Sequence, residues 1–77
     1  MRELAKLRWQ CRRGTLELDI LLTRYLDRYY QSATHDEKAQ FIELLSAEDD
    51  VLLALLITGT LPLPPNMHGL IQKIHHL

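Results

Sequence analysis

The spacing of apolar residues constrains this chain more than any other feature. Leucine, isoleucine, tyrosine and phenylalanine recur at intervals of three and four from end to end. No stretch alternates with period two for long enough to make a strand. The expected fold is therefore all-α. Two glycines, Gly14 and Gly59, and three prolines packed between positions 62 and 65 interrupt the apolar stripes. These breaks divide the chain into short helices with brief connections, which pack as a compact antiparallel bundle of about five in a single domain, 1–77.

Each helix has a legible start and stop. Leu4, Leu7 and Cys11 form one stripe and predict a helix over 2–13. Gly14 closes it, because a left-handed residue commonly ends a helix and glycine takes that conformation without strain. Thr15 is the expected N-cap of a helix over 16–31. Its stripe is Leu18, Leu22, Tyr25 and Tyr29, widened by Leu21 and Leu26. Thr34 and Glu37 have the spacing of a capping box, opening a helix over 35–45 with Phe41, Ile42 and Leu45 inward. Ser46 is expected to cap a fourth helix, 47–58, with Glu48, Asp49 and Asp50 at its positive end. That helix is apolar all round at 51–57, so it is either central or has a face free for a partner. Gly59 ends it. "TLPLPPN" is a stiff connector. Asn66 then caps a last helix with Met67, Leu70, Ile71, Ile74 and Leu77 on one face.

Composition narrows the function classes. A chain of 77 residues buries only about 60% of its unfolded surface, which leaves little room for a catalytic cleft. Cys11 is the single cysteine, so no internal disulfide forms, and its place on the first stripe reads as a small buried hydrophobe. The N-terminus lacks the apolar core of a signal peptide. The longest apolar run, "VLLALLI", is far below the roughly 20 residues a membrane helix needs. The expectation is a cytoplasmic protein without membrane insertion. A monomer is the default, although Tyr29 and Tyr30, read as exposed, permit a dimer.

Candidate chemistry is sparse. The histidines, His35, His68, His75 and His76, have no metal-ligand spacing and no cysteine pair beside them. There is no glycine-rich loop for phosphates. Asp49 and Asp50 fit a helix-start charge cluster better than an acid/base pair. No catalytic, metal-binding or cofactor-binding residue is assigned, and the chain is not expected to be an enzyme.

The net charge of −1 hides a split. Residues 1–14 hold Arg2, Lys6, Arg8, Arg12 and Arg13 against Glu3 alone, whereas the remainder holds nine acids and four bases. The basic head fits either an acidic partner or packing against the chain's own acidic segment, 35–50. The absence of helix-turn-helix or zinc-finger spacing argues against nucleic acid. That leaves protein recognition, and "CRRGTLELD" is where it concentrates. Gly14 lets another backbone approach closely. Arg12 and Arg13 carry planar donors suited to carboxylates or carbonyls. Glu17 stands in the first turn of the next helix, and Trp9 lies one turn before the arginines as a candidate anchor.

"RRGTLELD" also resembles the Arg-Gly-x-x-Glu signature of the SdhE family of succinate dehydrogenase flavinylation factors. "RWQCRRGTLELDILL" is similar to the family's first two helices, and "HDEKAQFIELLSAEDDVLLALLITG" to its third and fourth. Arg13, Gly14 and Glu17 match the signature; Arg12, Asp19 and Trp9 match frequent neighbours. Two stretches depart: many members carry a tryptophan before the glycine of "VLLALLITG", and the proline-rich segment after Gly59 matches poorly. The resemblance implies an assembly factor that binds the flavoprotein subunit of succinate dehydrogenase or fumarate reductase and promotes covalent attachment of FAD. It implies that the FAD belongs to the client and is not held tightly by the factor. The alternative is a regulatory, antitoxin-like interaction module that does not act on a flavoprotein.

Overall fold

Gly14 and Gly59 both adopt left-handed backbone, at φ +83° and +66°, and the helices fall between them. The computed structural model describes residues 2–75; Leu77, expected on the apolar face of the last helix, lies outside the described residues. Helix α1 is Arg2–Gln10, α2 Leu16–Arg28, α3 His35–Leu45, α4 Asp49–Leu53 and α5 His68–His75. Short 3₁₀ turns occupy Tyr30–Ser32 and Pro65–Met67, and a π-turn occupies Ala54–Thr58. No strand occurs among the described residues. The expected all-α bundle is what forms, with a radius of gyration of 11.4 Å; a folded chain of this length has about 11.5 Å.

The stripes meet in one cluster. Leu7 and Cys11 of the first segment pack with Leu18, Leu22, Tyr25 and Leu26, Phe41, Leu44 and Leu45, Leu52, Leu55 and Leu56, and Met67, Leu70, Ile71 and Ile74. The Tyr25 ring lies 4.6 Å from Phe41 and 5.9 Å from Tyr29 between centroids. Tyr25 is buried yet polar, and its hydroxyl donates to Glu37 Oε2 at 2.6 Å. Lys73 of α5 donates to the same carboxylate at 3.0 Å. Burial pushes the Tyr25 phenol above its ordinary range, and the bond to Glu37 adds to that.

Several local expectations are corrected. α1 stops at Gln10, three residues early, and its last turn tightens through Arg12 N–H to Trp9 O at 3.1 Å. Thr15 has the extended N-cap backbone, but its side chain accepts no hydrogen bond. Half of the capping box forms: Glu37 N–H donates to Thr34 Oγ1 at 3.1 Å, while the Glu37 carboxylate is spent on Tyr25 and Lys73. Ser46 does not cap α4. It is αR, and its hydroxyl donates back to Glu43 O at 2.5 Å, so Glu48 takes the cap position instead. Asn66 lies inside a 3₁₀ turn preceded by Pro64, so it is not the cap of α5. Tyr30 is 4% exposed, with its hydroxyl 3.3 Å from Glu3 Oε1, and contributes nothing to a dimer surface. Ile42 faces outward while Leu44 takes the inward place beside Phe41 and Leu45. At 100° per residue, 41, 44 and 45 share a face and 42 falls at its edge.

The expected fourth helix breaks into α4 and the π-turn. Gly59 N–H reaches back five residues to Ala54 O, and Thr60 N–H bonds the same oxygen at 3.0 Å. The wider turn places Leu55 and Leu56 in the core and leaves Ile57 at the surface. This answers the two readings of that helix: its middle is central, and its end is free.

Candidate functional site

The corner between α1 and α2 brings the sequence's candidate residues together, but not in one role. The chain leaves α1 at Cys11, whose side chain is fully buried. Burial pushes its thiol up to about 11, against the opposing pull of Arg13 and Arg8. Cys11 is therefore an anchor of the corner in the core, as its stripe implied, and not a nucleophile poised for reaction.

Arg13 turns inward. Its guanidinium donates to the carbonyls of Leu45 and Ala47, the latter at 3.2 Å, and its Nε lies 3.7 Å from Asp49 Oδ1. A cation there is well placed: it meets the negative end of α3 and the acidic first turn of α4 together. Its backbone N–H donates to Asp19 Oδ1 of α2 at 2.5 Å. Arg13 and Asp19 thus tie the bend to three helices at once.

The rest of the corner faces out. Gly14 is exposed, and a side chain added there would meet nothing within 4 Å. Arg12 is exposed and stacks 5.9 Å from the Trp9 ring centroid. Trp9 itself is 71% exposed, with no core to hold it. Glu17 is exposed and pairs with no described residue. Of the two alternatives for the basic head, packing within the chain is seen: Arg13 meets the acidic segment and Arg8 pairs with Asp27 at 2.5 Å, while Arg12 forms no ion pair among the described residues.

Three apolar side chains beside the corner were not singled out in the sequence. Leu16 is 72% exposed, and Ile20 and Ile57 are also exposed. Glu17, Ile20, Leu21 and Ile57 line a shallow, almost wholly apolar groove of about 280 Å³. The available signal was that Leu16 and Ile20 lie four apart and off the inward stripe of α2, so they share an outward face. Ile57 carried no such signal, because the π-turn that exposes it breaks the helical period.

Among the described residues no group of histidine, cysteine and carboxylate side chains gathers as a metal site, and no helix is long and apolar enough to cross a membrane.

Comparison with known proteins places the chain. The family described as flavinator of succinate dehydrogenase, Sdh5, matches residues 5–77, so the likeness runs through the proline-rich segment as well. The FAD assembly factor SdhE of Coxiella burnetii is 42% identical over 72 residues, covering 94% of this chain and 88% of that protein. Its namesake in Francisella tularensis is 39% identical over 69 residues, covering 90% and 72%. The namesake in Shewanella oneidensis is 47% identical over 51 residues, and the match spans 62% of that protein's length. No solved structure matches the chain significantly. With a family match over nearly its whole length and a relative 42% identical over 94% of it, the chain belongs to the Sdh5 family of flavinators of succinate dehydrogenase.

Proposed function

We propose that this protein is an assembly factor that docks its α1–α2 corner on the flavoprotein subunit of succinate dehydrogenase, or of the related fumarate reductase, and promotes covalent attachment of FAD to that client. The carrying observation is the exposed Gly14 bend, flanked by outward Trp9, Arg12 and Glu17, in a chain of this family. An exposed large aromatic beside a guanidinium and a carboxylate that form no ion pair within the chain suits a partner. The apolar groove beside Glu17 extends the same surface.

The factor supplies position and not chemistry. Covalent flavinylation needs the flavin and the reacting client side chain held in geometry, and such holding contributes several kcal/mol to the barrier. Arg12 and Glu17 orient the client; the missing Gly14 side chain lets its backbone come close. FAD stays with the client. The N-terminal turns of α2, α3 and α4, where a pyrophosphate would seek free N–H groups, each carry two carboxylates, which repel it. On this reading the factor is not an enzyme and works as a monomer in the cytoplasm, where the lone thiol stays reduced.

The test is Gly14→Arg. The folded variant should lose capture of the flavoprotein and fail to restore in-gel covalent flavin fluorescence in a strain lacking the factor. Full restoration by a variant with unchanged circular dichroism refutes docking through the corner. Glu17→Ala should weaken capture with little change in Tm; a large fall in Tm instead makes Glu17 a structural residue.

A further inference from the structure

Arg13 is the one member of the corner whose side chain reaches away from it. Its guanidinium spans 32 and 34 residues of sequence to the carbonyls of Leu45 and Ala47. Its Nε has no hydrogen-bond partner and rests against Asp49 at ion-pair distance. Only 18% of the side chain is exposed. Those carbonyls belong to the end of α3 and the link to α4, to which no other side chain of the α1–α2 bend hydrogen-bonds among the described residues.

From this geometry we propose that Arg13 is a positioning residue: it sets the shape of the docking corner from the α3–α4 junction and does not itself touch the client. The physical reason is competition for donors. Nη2, which donates to both carbonyls, and Nε, held against Asp49, cannot turn to a partner without first releasing the α3–α4 junction. Asp19 completes the device from the other side. Its carboxylate takes the Arg13 N–H, so the residue before Gly14 is held by main chain and side chain together. The left-handed glycine, which alone would swing, is thereby aimed in one direction. Asp49, 46% exposed, becomes a remote control: neutralising it loosens a bend 35 residues away in sequence.

Amide hydrogen exchange of the free chain and capture of the flavoprotein read the two halves separately. The capture half rests on the proposed docking; the exchange half does not. In Arg13→Ala, exchange at the residue-13 amide, Asp19 and Ala47, each hydrogen-bonded in the free chain, should quicken about tenfold, the factor a lost charge-assisted hydrogen bond gives, and capture should weaken by at least the same factor. Asp49→Ala should move both in the same direction by about threefold, and adding it to Arg13→Ala should cause no further loss. Arg13→Lys, which keeps the charge but not the fork, should restore part of each. Ile71→Val, a core change in α5 that lowers Tm and removes no bond of the clamp, should leave capture as it was. If Arg13→Ala weakens capture while exchange at the residue-13 amide, Asp19 and Ala47 stays unchanged, Arg13 contacts the client and the proposal is overturned. Quickened exchange with undiminished capture overturns it equally, since the clamp would then not shape docking. Should Arg13→Ala fail to fold, Asp49→Ala and Arg13→Lys carry the same comparison. A wild-type chain that captures no flavoprotein sinks the docking reading, and the clamp is then decided by exchange alone.

Discussion

Gly14 and Gly59 use one backbone device to opposite ends. Both are left-handed, both are exposed, and neither has an atom within 4 Å of where a side chain would begin. The Gly59 corner is closed by its own main chain, with Gly59 and Thr60 N–H groups both on Ala54 O, and is followed by prolines that stiffen what comes next. The Gly14 corner has no such closure. It is held by side chains from elsewhere, Arg13 on the α3–α4 junction and Asp19 from α2, and is anchored below by Cys11. A turn that needs only a stop can close on itself. A turn that must present a surface in a fixed direction needs bracing from outside, and it leaves its own rim, Trp9, Arg12, Leu16 and Glu17, unspent.

The largest expected difference between the corners is in client capture. Gly14→Arg should weaken it at least a hundredfold by pull-down or calorimetry. Gly59→Arg, carrying equal backbone strain of about 1–2 kcal/mol, should change it less than threefold. Equal losses in both would mean that stability, not the corner, governs capture.

The next effect comes from what lies beneath each corner. Under Gly14 sits Cys11, whose thiol ordinarily loses its proton near 9.0 but holds it to about 11 in the folded chain. The unfolded chain ionises first, so stability present below pH 9 is lost between pH 9 and 11, by at most about 2–3 kcal/mol. Denaturant titrations should show a steeper alkaline fall for the wild type than for Cys11→Ala across that window. The corner at Gly59 is backed by Leu55 and Leu56 and adds no such slope.

Cys11 also reports opening of its own corner. Labelling of the thiol by an aromatic disulfide reagent at pH 8 should be slow in the wild type. Gly14→Ala should quicken it about tenfold, as left-handed strain loosens the bend by about 1–2 kcal/mol, with Gly59→Ala well behind. Identical acceleration in both would show that the thiol is reached only by global unfolding.

The smallest effect separates two threonines that look alike in sequence. Thr34→Ala should cost about 1 kcal/mol, because its hydroxyl caps α3. Thr15→Ala, beside Gly14, should cost only a few tenths, because its hydroxyl caps nothing. A comparable loss at Thr15 would place a helix cap at the corner and weaken the view that Asp19 and Arg13 do the holding.

Much of this fold was legible residue by residue. The stripes through Leu7 and Cys11, Leu18 to Leu26, and Met67 to Ile74 became core almost without exception. The corner was legible as a place, since Arg12, Gly14, Glu17 and Trp9 do stand together on the outside. Its internal division of labour was not. Ser46, Asn66 and Thr15 all carry capping side chains, yet each sits where neighbouring backbone decided otherwise, at the end of α3, inside a 3₁₀ turn, and ahead of a helix whose cap goes unused. Ile42 and Tyr30 exchanged the exposures expected of them: Ile42 falls at the edge of the α3 stripe, and Tyr30 opens a 3₁₀ turn after α2 ends at Arg28, short of the expected 31.

By itself the sequence determined the helical class, the number of helices, the two glycine breaks and the basic-to-acidic change at the first of them. These depend on neighbours three or four residues apart, and local chemistry settles them. Only the tertiary structure decided that Arg13 faces inward while Arg12 faces outward, that Glu37 serves Tyr25 and Lys73 in place of its own cap, and that Ile57 joins Ile20 at the surface. Each of those choices turns on which helix lies alongside another, and two adjacent arginines are chemically identical until packing gives one of them a carbonyl to reach.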